Sequence, residues 1–235
     1  MPTPLNCERL VSMYPDAVIF DFDGIIVDTE MIHYQAFQEI LSPLGLNYSW
    51  EEYKNTYMGF DDRDAFKAAF KSKGKSLTPD RLDELIAAKA HIFEDVVSKG
   101  VSAYPGVIDL LEELHSKNIP VAIASGALKS DILPILTKLD IKKHFTTIIT
   151  AEDVPQSKPD PASYALAAKL LIQHHQLADN SKIYAIEDTP AGIQSAKRAG
   201  IYVIAVTNSY DASILEAKAD RVVDSLQKIV GGHWF

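Results

Sequence analysis

Five short apolar runs, spaced by segments of helical period, constrain this chain more than any other feature. Residues 17–23 (AVIFDFD), 121–125 (VAIAS), 146–150 (TTIIT), 183–188 (IYAIED) and 202–206 (YVIAV) are rich in Val, Ile, Thr and Tyr and read as buried strands. Residues 106–117, 127–139, 161–173, 190–199 and, more weakly, 211–218 place apolar side chains at helical spacing. Strands that alternate with helices run parallel, and their crossover helices cover both faces of the sheet. The expected fold class is therefore α/β, a doubly wound parallel sheet.

Residues 31–102 break this rhythm, with helical periodicity and no convincing strand. MIHYQAFQEILSPLG sets Ile32, Phe37, Ile40 and Leu41 near one stripe. Thr78-Pro79-Asp80 opens the next clear helix with an N-cap residue, a first-turn proline and an acid at the positive end of the dipole. That helix is expected to run to Ser98. The expected organisation is a core made of residues 1–30 and 103–235, with residues 31–102 inserted as a helical cap. The turn chemistry of Tyr104-Pro105-Gly106 marks one hinge and the stretch 28–31 the other. A length of 235 residues suits one domain carrying such an insertion.

The net charge is −9, and no basic run is present, so nucleic acid is excluded as an expected partner. The single cysteine, Cys7, allows neither an internal disulfide nor a cysteine cluster, in keeping with a reducing compartment. The N-terminal residues lack a basic start followed by an apolar stretch, and no segment approaches the roughly 18 apolar residues of a membrane span. A cytoplasmic protein with no membrane partner is the expectation.

In an open parallel sheet, ligands bind beyond the carboxyl ends of the strands. The first strand ends in Asp21 and Asp23, the second in Ser125-Gly126 and the fourth in Glu187-Asp188, while Ser157-Lys158-Pro159-Asp160-Pro161 follows the third. Asp21 and Asp23 share a strand face. Four converging carboxylates repel one another, and a hard divalent cation with oxygen ligands, Mg²⁺ above all, resolves the conflict. A metal needs only one acid of the first strand, which leaves the other for proton transfer. Were Asp21 to attack phosphorus, Asp23 could protonate the departing oxygen and later activate water. Ser125 and the N–H groups around Gly126 offer an anion site at a helix start, and Lys158 offers a point charge.

Together DFDGIIVDTE (21–30), ASG (124–126), SKPDP (157–161) and EDTPAGIQSAKRAG (187–200) resemble the four ordered motifs of the haloacid dehalogenase superfamily. The insertion resembles its helical type 1 cap, and the likeness is nearest to the β-phosphoglucomutase-like phosphatases. The resemblance implies that Asp21 is the nucleophile and Asp23 the general acid/base. It implies that Ser125, Gly126 and Lys158 bind phosphate. Asp21, the Asp23 carbonyl and Asp188 would be Mg²⁺ ligands, with Glu187 direct or through water. The expected activity is hydrolysis of a small phosphorylated metabolite, a sugar or polyol phosphate, by a monomer.

Two positions depart from the family pattern. Ile25 stands where many of these phosphatases carry Thr, as is common in the sugar-phosphate branch. The mutase holds a second phosphate with an arginine three residues after a cap glycine, whereas here Gly59 is followed at that spacing by Asp62, with Arg63 one step on. A phosphosugar mutase, and a non-catalytic phospho-acceptor with a strand-end Asp as a switch, are the rival readings. Thr29 and His33 sit at the cap hinge as candidate substrate contacts, with a hinge hydroxyl and an exposed helix histidine as the plainer outcome. Gly59, Phe60 and Asp61 form the loop expected to dip into the site. His174-His175 reads as a surface helix end, because adjacent helical residues face different ways.

Overall fold

The computed structural model describes residues 14–234, so the expectations attached to Cys7 and the extreme N-terminus lie outside the described residues. β1 (Ala17–Phe20) leads into a helical stretch of α1 (Glu30–Leu41), α2 (Trp50–Glu52) with a π-helical turn over Tyr53–Tyr57, α3 (Asp62–Ser72) and α4 (Pro79–Lys99). The chain then alternates through α5 (Val107–Ser116), β2 (Val121–Ala124), α6 (Lys129–Lys138), β3 (Phe145–Ile149) and α7 (Ala162–His175). It finishes with β4 (Ile183–Glu187), α8 (Pro190–Arg198), β5 (Tyr202–Val206), α9 (Ala212–Leu215) and β6 (Arg221–Val223).

The strands form one parallel sheet in the order β3-β2-β1-β4-β5-β6. The fold is the expected doubly wound α/β architecture. From β1 the chain steps outward through β2 and β3, then crosses to the other side of β1 as β4. The direction of winding therefore reverses around β1, and a crevice opens there at the carboxyl ends.

Side-chain alternation explains the two packed faces. Val18, Phe20, Val121, Ile123, Ile186 and Ile204 point to one face, where they meet Leu110 and Leu114 of α5 and Ile132 and Ile135 of α6. Ala17, Ile19, Ala122, Ala124, Ala185 and Val203 point to the other, against Tyr164, Ala167 and Leu171 of α7 and Ile193 of α8. The second face is lined mostly by small residues, which leaves room for the Tyr164 ring.

Glu30–Lys99 contains no strand and packs a cluster of its own around Phe37, Leu41, Tyr53, Phe66, Phe70 and Leu85. Its two connections to the sheet lie side by side, with Val27 bridged antiparallel to Ala103 and the Tyr104 N–H donating to the Ile26 carbonyl at 3.0 Å. Thr78 caps α4 as expected, accepting from the Arg81 N–H at 3.3 Å, and the helix ends at Lys99.

Several boundaries differ from the sequence reading, first of all that of β1, which ends at Phe20, so that Asp21 and Asp23 lie beyond the strand and do not share one of its faces. β3 starts at Phe145 and ends at Ile149, because Thr150 turns back and donates from both its N–H and its hydroxyl to Asp153 Oδ2 at 2.8 Å. α7 starts at Ala162, one residue later than the helical spacing over 161–173 gives, with Asp160 accepting from the Ala162 N–H at 2.9 Å. β6 was not expected: three residues beginning with an arginine give too short a pattern to read. No helix of the described residues is long and apolar enough to cross a membrane.

Candidate active site

Asp21 follows the last residue of β1, and its N–H donates to the Ile186 carbonyl of β4 at 2.9 Å, which fixes it beside Glu187. Lys158 reaches in from the loop after β3. Its ammonium donates to Asp21 Oδ1 at 2.8 Å and to Glu187 Oε1 at 2.7 Å, and the side chain is only 4% exposed. Glu187 also accepts from the Tyr164 hydroxyl at 3.0 Å, from the N–H groups of Asp188 and Thr189, and from the Thr189 hydroxyl. Both of its oxygens are thus committed. Asp188 accepts from the Ser209 hydroxyl through Oδ2, while its buried Oδ1 has no partner among the described residues.

Two glycines make this packing possible. A Cβ on Gly24 would lie 2.0 Å from Asp188 Oδ2, and one on Gly192 would lie 1.7 Å from Glu187 Oε1. Gly24 also has a φ of +78°, a conformation that glycine adopts without steric cost.

Asp21, Glu187 and Asp188 each bring a carboxylate oxygen within 4.8 Å of the others. Burial, then the charge of Glu187, pushes Asp21 well above the ordinary carboxyl range even with Lys158 beside it. Burial followed by Glu187 and Asp21 does the same to Asp188. Burial works against the Lys158 ammonium, but Asp21 and Glu187 outweigh it and raise its pKa. One ammonium among three buried carboxyls leaves a deficit of positive charge. The orphaned Asp188 Oδ1 and an all-oxygen donor set fit a hard divalent cation.

Ser125 is buried just past β2, its hydroxyl accepting from the Ala127 N–H at 2.9 Å, and Gly126 and Ala127 line the cavity over Asp21. Asp23 turns the other way, toward the helices. Its Oδ1 accepts from the Thr29 hydroxyl and from His33 Nε2 at 3.1 Å. Burial raises Asp23, but the imidazole and the Thr29 hydroxyl outweigh it and hold the carboxyl below its usual range. Lys89 Nζ lies 2.8 Å from His33 Nδ1 and 2.6 Å from Asp62 Oδ1. Burial and the Lys89 charge act against a proton on His33, but Asp23 and Glu30 outweigh them and raise its pKa; with Lys89 Nζ beside Nδ1, the proton shared with Asp23 sits on Nε2.

The structure revises several expectations here. His33 is not an exposed helix histidine; it is buried, stacked on Phe93 with ring centroids 4.3 Å apart, and lines the cavity. Thr29 is fully buried and engaged with Asp23. Gly59 and Phe60 do line the cavity, but Asp61 does not. Its Oδ1 caps α3 by accepting from the Asp64 N–H at 2.9 Å, and its Oδ2 pairs with Arg63 at 2.6 Å. Arg63 in turn donates to the Ala151 carbonyl at 2.8 Å, tying α3 to the loop after β3. Hydrogen bonds from Ser157 to Asp64 and from Tyr210 to the Lys54 carbonyl add to this closure.

The sequence reading omitted Glu30, Asp62 and Lys89. Glu30 accepts from the Tyr53 hydroxyl at 2.8 Å, and burial, then the Asp23 charge, pushes its carboxyl up to about 7. Lys89 had a legible signal: Leu85, Lys89, Phe93 and Val97 form one buried stripe of α4, so a lysine interrupts an apolar row.

Residues 18–206 match the haloacid dehalogenase-like hydrolase family, and the chain belongs to it. Within that family it is 29% identical over 214 residues to a phosphorylated carbohydrates phosphatase of Thermotoga maritima, covering 88% of this chain and 94% of the relative. It is 30% identical over 223 residues to the mitochondrial (DL)-glycerol-3-phosphatase 1 of Arabidopsis thaliana, covering 92% and 72%. The crystal structure of CbbY from Rhodobacter sphaeroides in complex with phosphate superposes with a TM-score of 0.81 at 24% identity, over 94% of this chain and all of that one, a likeness of fold.

Proposed function

We propose that this protein is a Mg²⁺-dependent phosphatase of small sugar or polyol monophosphates, working through a phosphoryl group carried on Asp21. The observation that carries the reading is the buried set of Asp21, Lys158, Glu187 and Asp188 at the winding reversal of the sheet, with Asp23 lining the same cavity as Asp21 and Lys158. The relatives named above act on phosphorylated carbohydrates and glycerol 3-phosphate, which supports the substrate class.

Ser125 and the Gly126 N–H bind the phosphoryl oxygens, and Lys158 neutralises the substrate dianion. The Asp21 carboxylate forms a bond to phosphorus as the bond to the leaving oxygen breaks, and Asp23 gives that oxygen its proton. Asp23 must enter that first step protonated; the carboxylate it then becomes, the form seen here, draws a proton from water when water attacks phosphorus and frees Asp21, and that proton serves the leaving oxygen of the next turnover. Asp21, Asp188 and the Asp23 carbonyl would hold Mg²⁺, with Glu187 behind them. When bound, the ion supplies the missing positive charge and polarises the phosphoryl oxygens. Glu30–Lys99 acts as a cap that closes over the strand ends and excludes bulk water.

A phosphate-release assay over a panel of sugar and polyol monophosphates tests this. Multi-turnover release with Mg²⁺, silenced by EDTA and restored by added Mg²⁺, is expected. Full activity in metal-free buffer, or no release from any panel member, contradicts it.

A further inference from the structure

The cap side of the cavity has an unusual charge balance. Asp62, Glu30, His33, Phe37 and Tyr53 line it, and the cavity measures about 40 Å³ in this closed arrangement. That is room for a few water-sized groups. Asp62 is nine-tenths buried; its Oδ1 holds Lys89 at 2.6 Å, and its Oδ2 is buried with no partner among the described residues. Lys89 lies wholly buried behind it and already serves Asp62 and His33. The neighbouring cation, Arg63, points away to Asp61 and the Ala151 carbonyl. The cap wall therefore presents two carboxyl groups and aromatic rings, with no uncommitted cation among the described lining residues.

A buried carboxylate oxygen without a donor is costly, and a ligand hydroxyl relieves that cost. A second anionic group on the ligand would instead meet the Asp62 carboxylate in a poorly screened space, beside a Glu30 carboxyl that is only partly ionised near neutral pH. We infer that Asp62 is the specificity-determining residue of this site: it accepts a hydroxyl from the substrate's uncharged end and rejects substrates that carry a carboxylate or second phosphoryl group there. The inference rests on the phosphatase reading and goes further, since that reading leaves the far end of the substrate open.

Glycerol 3-phosphate and 3-phosphoglycerate form the test pair, because they differ only in having an alcohol or a carboxylate at the carbon distant from the phosphate. The parent enzyme should prefer the alcohol in kcat/KM by at least about 10²-fold, the scale of a like-charge clash at close range. Asp62→Asn should reduce that preference by at least about tenfold, chiefly through a lower KM for the carboxylate, whereas Asp62→Glu, which keeps the charge, should retain it. Equal use of both compounds by the parent overturns the inference without any variant. Equal loss of preference in the Asn and Glu variants also overturns it, since shape rather than charge would then be selecting. p-Nitrophenyl phosphate separates the two levels: if the parent hydrolyses it with Mg²⁺ but shows no alcohol preference, only the specificity claim falls, and if the parent leaves it and both test compounds untouched, the phosphatase reading falls as well.

Discussion

The floor of the cavity and its roof are built by opposite means. The floor takes Asp21, Glu187 and Asp188 from the ends of two adjacent parallel strands, so their positions follow from backbone pairing, and Lys158 binds two of them at once. The roof takes Asp62 from α3, His33 from α1 and Lys89 from α4, and these meet only because the helices pack on one another. In the proposed function the chemistry, which needs fixed atoms, falls on the sheet, and selection of a substrate falls on the helices, whose residues can change without disturbing it.

The largest expected difference lies in the reaction. Asp21→Asn on the floor should lower phosphate release by roughly 10⁴-fold or more, on the scale seen when a covalent nucleophile is removed. Asp23→Asn at the boundary should cost about 10²–10⁴-fold, the range of general acid–base work. Steady-state kinetics, with melting curves to show that both variants fold, check the order. An Asp21 variant that outpaces the Asp23 variant would break the assignment.

Stability offers the next contrast. Lys158→Met strands two buried carboxylates, Asp21 and Glu187, whereas Lys89→Met strands Asp62 alone among carboxylate partners. Removing one partner of a buried ion pair costs about 3–5 kcal/mol, so Lys158→Met should fall at or above that range in metal-free buffer at pH 7 and Lys89→Met at or below it. Urea unfolding of the two variants decides the ranking. Added Mg²⁺ should recover stability in Lys158→Met and do little for Lys89→Met, because only the floor has the carboxylates for it.

The smallest effect concerns the seam where α4 meets α6. Asp131 shares a cleft with Phe93 and Val97, and its Oδ2 is buried without a partner among the described residues. Burial pushes its carboxyl from 3.8 up to about 6. A raised carboxyl pKa means that the folded state holds the proton more tightly than the unfolded state. Stability is therefore lost as pH rises from near 4 to about 6 and stays lost above. Asp131→Asn should be more stable than the parent at pH 7.5 by up to about 3 kcal/mol, with the difference vanishing below pH 4. Denaturant midpoints across that pH range check the sign, and an advantage that persists at pH 3.5 would refute the titration.

This same division governs what could be read from the chain. The strands are runs of β-branched residues ended by polar groups, so five of the six strands and the gathering of Asp21, Ser125, Lys158, Glu187 and Asp188 at their carboxyl ends were legible, whereas β6, the strand order and the direction of Asp23 were not. The supporting residues Tyr164, Gly192 and Ser209 were not, because what distinguishes them is contact with Glu187 and Asp188 across 23, 5 and 21 positions. The roof was harder still. Lys89 and His33 are 56 positions apart, and no local pattern sets the packing angle that joins them. Asp61 and Asp62 show how fine the margin is: the first turns inward to cap its own helix, the second turns to the cavity, and sequence alone gives both the same character.

The central claim is that the phosphoryl group passes through the Asp21 carboxylate. The most direct measurement is rapid acid quench during turnover, followed by borohydride trapping and mass spectrometry of the peptides. The account predicts that the trapped modification appears on the peptide carrying Asp21, at the Asp21 side chain, and is lost in Asp21→Asn. A modification on another residue, or none at all during confirmed burst-phase phosphoryl transfer, would contradict it.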